Sequence, residues 1–289
     1  MIISAAEFPY DWLADIPLVK RKPGNQRTKK RRKYKDLITA FDIETTRLPD
    51  IEQSFMYVWQ WQFGTDYTVV GRTWEEFLDF QNHLRSVLGD IFLPVFVHNL
   101  SYEFQFLKGI YYFRQDDVFA VKSRKVLKCD MWDCFEFRCS YLHSNMNLDT
   151  YTKKMGVQHA KLSGTYDYEK IRYPWTELSE SEIAYCVHDV QGLVEAIKIE
   201  MEHDGDTIYT FPLTSTGYVR RDAKKAMSDV SYSFVKSQLP DYEIYKMLRE
   251  AFRGGNTHAN RYYTNYTLHN VHSADRSSSY PDVMCNCKF

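Results

Sequence analysis

Four acids at three places in this 289-residue chain have the types and spacing for phosphoryl chemistry. Asp42 and Glu44 stand two apart, and side chains alternate along a strand, so a strand through them projects both from one face. Asp-x-Glu alone says little, because it recurs at Asp50/Glu52, Asp167/Glu169 and Asp241/Glu243. Only the first pair follows a buried-type apolar run, Asp36–Phe41, that would hold it rigidly. The second place is Asn99-Leu100-Ser101-Tyr102-Glu103, a pattern of Asn-x-x-aromatic-acid that occurs once. The third is Tyr185 and Asp189, four apart and so on one face of a helix, a spacing shared by Tyr112/Asp116 and Tyr218/Asp222. Each acid has a plain structural alternative: a turn former at Asp42, a helix N-terminal charge at Glu103, a solvated helix face at Asp189. Brought together, such carboxylates raise one another's pKa. Divalent ions relieve that repulsion, and a metal pair about 4 Å apart is the usual machinery for in-line attack on a phosphodiester. Oxygen-only ligands select Mg²⁺ or Mn²⁺ over zinc.

The elements that must position these residues are legible in outline. Asp36–Phe41 reads as a strand leading into Asp42. Ser54–Phe63 and Tyr67–Gly71, joined by Gly64-Thr65-Asp66, read as a hairpin. Thr73 can cap a helix over Trp74–Leu88, where Phe77, Leu78, Phe80, Leu84 and Leu88 recur at helical spacing. Ile91–Val97 is a further apolar strand that hands over to a helix from Ser101 to about Tyr111, and strand ends are where function usually sits. Val118–Ser140 reads as a second hairpin. Ser179 with Glu182 forms a capping box for a long helix to about Glu202. Beyond Gly205, Thr207–Thr216 reads as loop, Val219–Met227 and Tyr242–Ala251 as helices, and Tyr262 onward as strand-like through Ser273–Tyr280. The order is mixed α/β, with helices packed on a sheet.

Composition bounds the function. With 44% hydrophobic and 26% charged residues the chain can build a core and is not globally disordered. No apolar run reaches the roughly 18 residues that a bilayer span needs, so no integral membrane protein is expected. Met1–Lys20 lacks the pattern of a secretory signal, which points to a cytoplasmic protein. The net charge of −1 hides an asymmetry: Lys20–Lys35 carries ten Lys/Arg and no acid, leaving −11 on the rest. An acidic body with a basic strap suits a carboxylate-lined site that steers an anionic substrate locally, although a solvated lead-in would look the same. Cys129, Cys134, Cys139 and His143 have spacings that match no common zinc pattern, so the cysteines read as reduced and mostly buried.

The strings FDIETT (41–46), HNLSYEF (98–104) and YCVHD (185–189), in that order, resemble the three exonuclease motifs of the 3′→5′ proofreading domain of family-B DNA polymerases. That domain is ribonuclease-H-like and belongs to the DEDD exonucleases that carry a tyrosine. Phe252-Arg253-Gly254-Gly255 is similar to the aromatic-x-Gly-Gly segment linking exonuclease and polymerase. Asp275-Arg276-Ser277-Ser278-Ser279-Tyr280-Pro281 is similar to the D-x-x-S-x-Y-P signature of polymerase motif A. The matches span 37–284, and the short N-terminal part favours the viral, plasmid and organellar branch, particularly its protein-primed members.

The resemblance implies a ribonuclease-H-like mixed sheet flanked by helices over 36–205. A basic lead-in (1–35) would precede it, and a helical linker (206–260) and an incomplete polymerase palm (261–289) would follow. Asp42, Glu44, Glu103 and Asp189 would hold two Mg²⁺ or Mn²⁺ ions, while Tyr185 and Glu44 orient the attacking water. Asn99 and Tyr102 would grip the single-stranded 3′ end, with Tyr102 offering a stacking face. Ser140 and Tyr141 resemble a further DNA-contacting pair, Lys161 the lysine near the scissile phosphate, and Arg253, Gly254 and Gly255 a DNA-binding turn. Asp275 would bind polymerase metals and Tyr280 would be the steric gate against ribonucleotides. Two residues depart from the pattern: Glu103 stands where this branch commonly has Asp, and Cys139 where an Asp often precedes the serine. No D-T-D string follows Asp275, and the chain's end has the look of a cut, so exonuclease chemistry alone is expected, from a monomer. Its partners would be single-stranded and primer-template DNA and a terminal priming protein. A stand-alone exonuclease and a non-catalytic DNA- or priming-protein-binding module are the alternatives.

Overall fold

The computed structural model describes residues 1–20, 32–48, 53–162, 166–252 and 260–287. Most of the basic strap (21–31) and Arg253, Gly254 and Gly255 therefore lie outside the described residues. The chain divides into two units, Met1–Met227 and Ser228–Phe289.

In the first unit the elements run β1 (Ile2–Ile3), α1 (Tyr10–Asp15), β2 (Lys33–Tyr34), β3 (Thr39–Leu48), β4 (Gln53–Phe63) and β5 (Tyr67–Gly71). They continue with α2 (Trp74–Leu88), β6 (Ile91–Val97), α3 (Leu100–Ile110), β7 (Val118–Lys122), β8 (Lys125–Met131) and β9 (Phe135–Cys139). Helices α4 (Ser140–Ser144), α5 (Leu148–Met155), α6 (Glu180–Asp204) and α7 (Ser215–Ala226) complete the unit. The strands form one mixed sheet in the order β1-β5-β4-β3-β6-β9-β8-β7, with β2 pairing in parallel to the start of β6. Central β3 pairs antiparallel with β4 and parallel with β6, which in turn runs parallel to β9. The expected second hairpin is a three-strand meander, β7-β8-β9, whose last strand enters the middle of the sheet. The tight Trp132-Asp133 connection, both at positive φ, hides that break from a reading by apolar runs.

Helices cover both faces. Phe41 and Ile43 look into a core with Trp59, Trp61, Phe77, Phe80, Leu84 and Leu107. Ala40, of opposite parity, looks into a second core with Tyr151, Val190, Leu193, Val194 and Ile197. Asp42 and Glu44 share Ala40's parity, so both point toward α6. A bulge where Glu44 and Thr45 face Val58 and Met56 leaves Tyr57 unopposed and sharpens the twist beside the acids.

Residues 1–20 are more than a lead-in. Phe8 and Leu13 are fully packed in the first core, with Phe8 against Phe63 at 4.7 Å and Phe80 at 5.2 Å between ring centroids. Phe8 lies outside any strand or helix, and the helix that carries Leu13 is six residues long, too short to show a period. Three strap cations are also tied into the fold. Arg32 pairs with Asp130 and Glu136, Lys33 with Asp90, and Lys35 donates to the carbonyls of Ala14 and Ile16. Burial opposes ionisation of Glu136, yet the charges of Arg138 and Lys128 with hydrogen bonds from Tyr34 and Arg138 bring it down to about 2. Cys129, Cys134, Cys139 and Cys186 are buried free thiols, whereas Cys285 and Cys287 are exposed.

The second unit holds α8 (Tyr232–Ser237), α9 (Tyr242–Ala251) and α10 (Ser279–Asn286), and none of its described residues is buried. The strand expected through Ser273–Tyr280 is absent: Asp275 lies in irregular backbone and Tyr280 in the first turn of α10. A strand exists through its partners' hydrogen bonds, and no described segment of this unit supplies one. No helix among the described residues is long and apolar enough to cross a membrane.

Candidate metal centre

Three of the four acids meet in one place. Carboxylate oxygens of Asp42, Glu44 and Asp189 lie within 4.8 Å of one another. Asp42 and Glu44 come from β3, and Asp189 from the face of α6 that packs on it. Glu103, in the first turn of α3, is buried with its carboxyl against that of Asp42. The strand-to-helix handover at Asn99, in left-handed conformation (φ 72°), turns α3 so that Glu103 faces β3. Asn and Asp tolerate that conformation better than other non-glycine residues.

Electrostatics mark the cluster as unneutralised. Burial, reinforced by the Asp189 charge, pushes Asp42 up to about 7, against the opposing pull of Lys161, the Ile43 N–H and Gln60. Glu44 is driven well above the usual carboxylate range by burial and then by Asp42 and Asp189. Glu103 follows it, through burial and then the Asp42 charge. Asp189 is raised by burial and partly offset by Lys161, whose Nζ donates to Asp189 Oδ2 at 2.6 Å. Asp189 Oδ1 and Glu103 Oε2 are buried without a hydrogen-bond partner. Such atoms ordinarily find a donor or a cation. An all-oxygen donor set with orphaned, mutually repelling carboxylates fits a hard divalent cation, Mg²⁺ or Mn²⁺.

The other sequence-singled residues surround this cluster. Tyr185, one turn before Asp189, is buried, bonds its hydroxyl to that of Tyr168 at 2.6 Å and stacks on Tyr166 at 4.3 Å. Burial raises its pKa, so its hydroxyl keeps its proton. Tyr102 is 41% exposed and its hydroxyl meets Thr45 Oγ1 at 2.5 Å, beside the acids. Asn99 and Tyr141 are exposed. Ser140, in contrast, is fully buried, donating to the Val97 carbonyl at 3.3 Å and lying 3.0 Å from His98 Nδ1. Its hydroxyl is engaged inside the protein. Asp275 and Tyr280 belong to the second unit.

Sequence reasoning assigned no role to four residues that the geometry adds. Gln60 donates to Asp42 Oδ2 at 2.9 Å from the neighbouring strand, and only register, not spacing, reveals it. His98, part of the HNLSYEF string, has a partnerless buried Nε2, and burial with the Lys161 charge lowers its pKa to about 4, keeping it neutral. Gly192 lets the loop bearing Lys161 press onto α6: a Cβ there would fall 2.2 Å from the His159 carbonyl oxygen. Glu195 clamps the same loop by accepting from the backbone N–H groups of Gln158 and His159.

No protein-family model matches the sequence, and no curated protein matches it. Solved structures do match in fold. Phi29 DNA polymerase complexed with single-stranded DNA superposes with a TM-score of 0.61 at 16% identity, over 78% of this chain and 41% of that one. Phi29 DNA polymerase with primer-template DNA and incoming nucleotides gives 0.58 at 16% identity, over 79% of this chain and 41% of that one. An orthorhombic crystal form of the same polymerase gives 0.58 at 17% identity, over 78% and 40%. This chain thus has a DNA-polymerase-related α/β fold and spans about two fifths of the length of the polymerase it matches.

Proposed function

We propose that the first unit is a ribonuclease-H-like 3′→5′ exonuclease of the proofreading type, acting on single-stranded DNA ends with two Mg²⁺ or Mn²⁺ ions. The convergence of the Asp42, Glu44 and Asp189 oxygens, with Glu103 against Asp42, carries this reading. Asp42, Glu44, Glu103 and Asp189 would hold the ions. Bound there, the ions would neutralise the carboxylates, activate a water and stabilise the departing 3′ oxygen. Glu44 and the protonated Tyr185 hydroxyl would orient that water in line with the terminal phosphodiester. Asn99 and Tyr102, exposed at the mouth, would hold the last bases, Tyr102 by stacking. Lys161, bonded to Asp189, would also bring its charge to the phosphate. The products would be a 5′-mononucleotide and a shortened strand ending in a 3′-hydroxyl.

The parent activity that fits this fold is that of a family-B, protein-primed DNA polymerase. In it Asp275 would bind polymerase metals, Tyr280 would exclude ribonucleotides, and Arg253, Gly254 and Gly255 would contact DNA. Primer-template DNA and a terminal priming protein would be the partners of a monomer working in the cytoplasm of a host cell.

A nuclease assay on single-stranded DNA tests the site. Mg²⁺-dependent shortening from the 3′ end is expected, and Asp42→Ala with Glu44→Ala should slow it by at least about 10³-fold, as loss of several kcal/mol of charge stabilisation requires. Equal rates in wild type and double variant would refute the assignment.

A further inference from the structure

A column of aromatic rings stands beside the acid cluster. Phe55 stacks on Tyr173 (centroids 5.5 Å apart, planes 18° apart), and Tyr173 stacks on Trp175 (4.9 Å, 4°). The column is anchored at Phe55, which pairs with Thr46 on the acid-bearing strand β3. Its outer end, Trp175, is 79% exposed. The loop that carries it is fixed from both sides. Arg172 donates its backbone N–H to Thr46 Oγ1 and its guanidinium to Glu182, and Arg72 donates to the carbonyls of Tyr173 and Thr176.

The rings form one wall of a groove of about 660 Å³, whose other wall includes Gln105, Phe106 and Ile110 of α3. Among the described residues no Lys, Arg, Asp or Glu lines it. Phe106 joins groove to site: its ring lies 5.3 Å from that of Tyr102, whose hydroxyl meets Thr45 next to Glu44. Tyr102 and Phe106 thus link the cluster to the groove that the Phe55–Tyr173–Trp175 column lines.

We infer that this groove is a stacking subsite for single-stranded DNA, in which a base upstream of the 3′ end packs on the Phe55–Tyr173–Trp175 column. The inference rests on the exonuclease reading and specifies how that site takes its substrate. The described lining offers a phosphate no cation, whereas parallel rings with an exposed outer face offer every base the same surface. Continuity with Tyr102 selects the occupant: for a strand whose end Tyr102 holds at the acids, the groove reached through Phe106 is an adjoining surface. A rigidly held column also loses little entropy when a base adds to it.

The test is the length dependence of binding, measured with Ca²⁺ in place of Mg²⁺ to suppress cleavage, using the oligonucleotides dT3 and dT8. Wild type should bind dT8 more tightly than dT3, and Trp175→Ala should shrink that ratio by about tenfold, the order expected for one lost base–ring stack. Trp175→Phe should restore most of it. An unchanged ratio in Trp175→Ala, with wild type still shortening dT8 in Mg²⁺, overturns the subsite and leaves the nuclease standing. A changed oligomeric state with unchanged dT8 affinity makes the groove a contact between copies, which also overturns it. Absence of both binding and cleavage in wild type removes the nuclease reading itself.

Discussion

At the scale of single residues, the cluster is an electrostatic problem that protons relieve in the metal-free protein and a divalent cation would relieve in their place. Asp42 sits near 7, and Glu44 and Glu103 well above the usual range, because burial and mutual charge disfavour ionisation. Unfolded carboxylates titrate near 4. Between about pH 4 and pH 7 or above, the metal-free native state thus holds more protons than the unfolded chain, so this cluster makes stability fall as pH rises. His98, lowered to about 4, acts in the opposite direction, but only below its unfolded value of about 6.5. Glu136, at about 2, contributes stability above the unfolded carboxylate range and loses it in acid, outside this window. Melting temperature measured from pH 6.5 to 8.5 without metal should therefore fall, and the fall should be reduced in Asp42→Asn and reversed by millimolar Mn²⁺. A flat profile that Mn²⁺ leaves unmoved would contradict this assignment of charge.

At the scale of elements, the site depends on how closely α6 accepts its neighbours. Helix propensity alone says that Gly192→Ala should stabilise the middle of α6 by about 0.5–1 kcal/mol. The added methyl would instead meet the His159 carbonyl at 2.2 Å, so the loop carrying Lys161 must move. Overpacking of this kind costs about 1–3 kcal/mol. A lower urea midpoint is expected, and a raised one would show that the loop is not held there. The same elements show what the sequence could convey. Trp74–Leu88 and the capped α6 are legible because Thr73/Glu76 and Ser179/Glu182 write their starts into the chain and apolar spacing their length. Ile91–Val97 is legible as an unbroken apolar run. The meander at β7-β8-β9 is not, since its turns use positive-φ Arg124, Trp132 and Asp133 where no glycine flags them. Nor is Gln60, whose part follows from strand register, or the 1–20 segment, where Phe8 lies outside any element and α1 is too short for a period.

At the scale of the whole molecule, every residue of the candidate centre belongs to the first unit, although Asp42 and Asp189 are separated by most of that unit's sequence. Three motifs in order were readable because each carries an acid that chemistry needs. Their meeting point was not, because it depends on a sheet whose strand order departs from chain order. The motif-A-like stretch shows the opposite limit: its residues are present, but no described segment of the second unit supplies a strand to pair with them, and Tyr280 lies on a helix. The account stands on a shared cation site built by distant segments. Direct titration of Mn²⁺ into the protein near pH 8, followed by electron paramagnetic resonance, tests it most closely. Two bound ions per chain are expected, with marked loss of binding in Asp42→Asn, because Asp42 lies against both the Glu44–Asp189 oxygens and Glu103. No bound Mn²⁺, or binding that Asp42→Asn leaves intact, would contradict it.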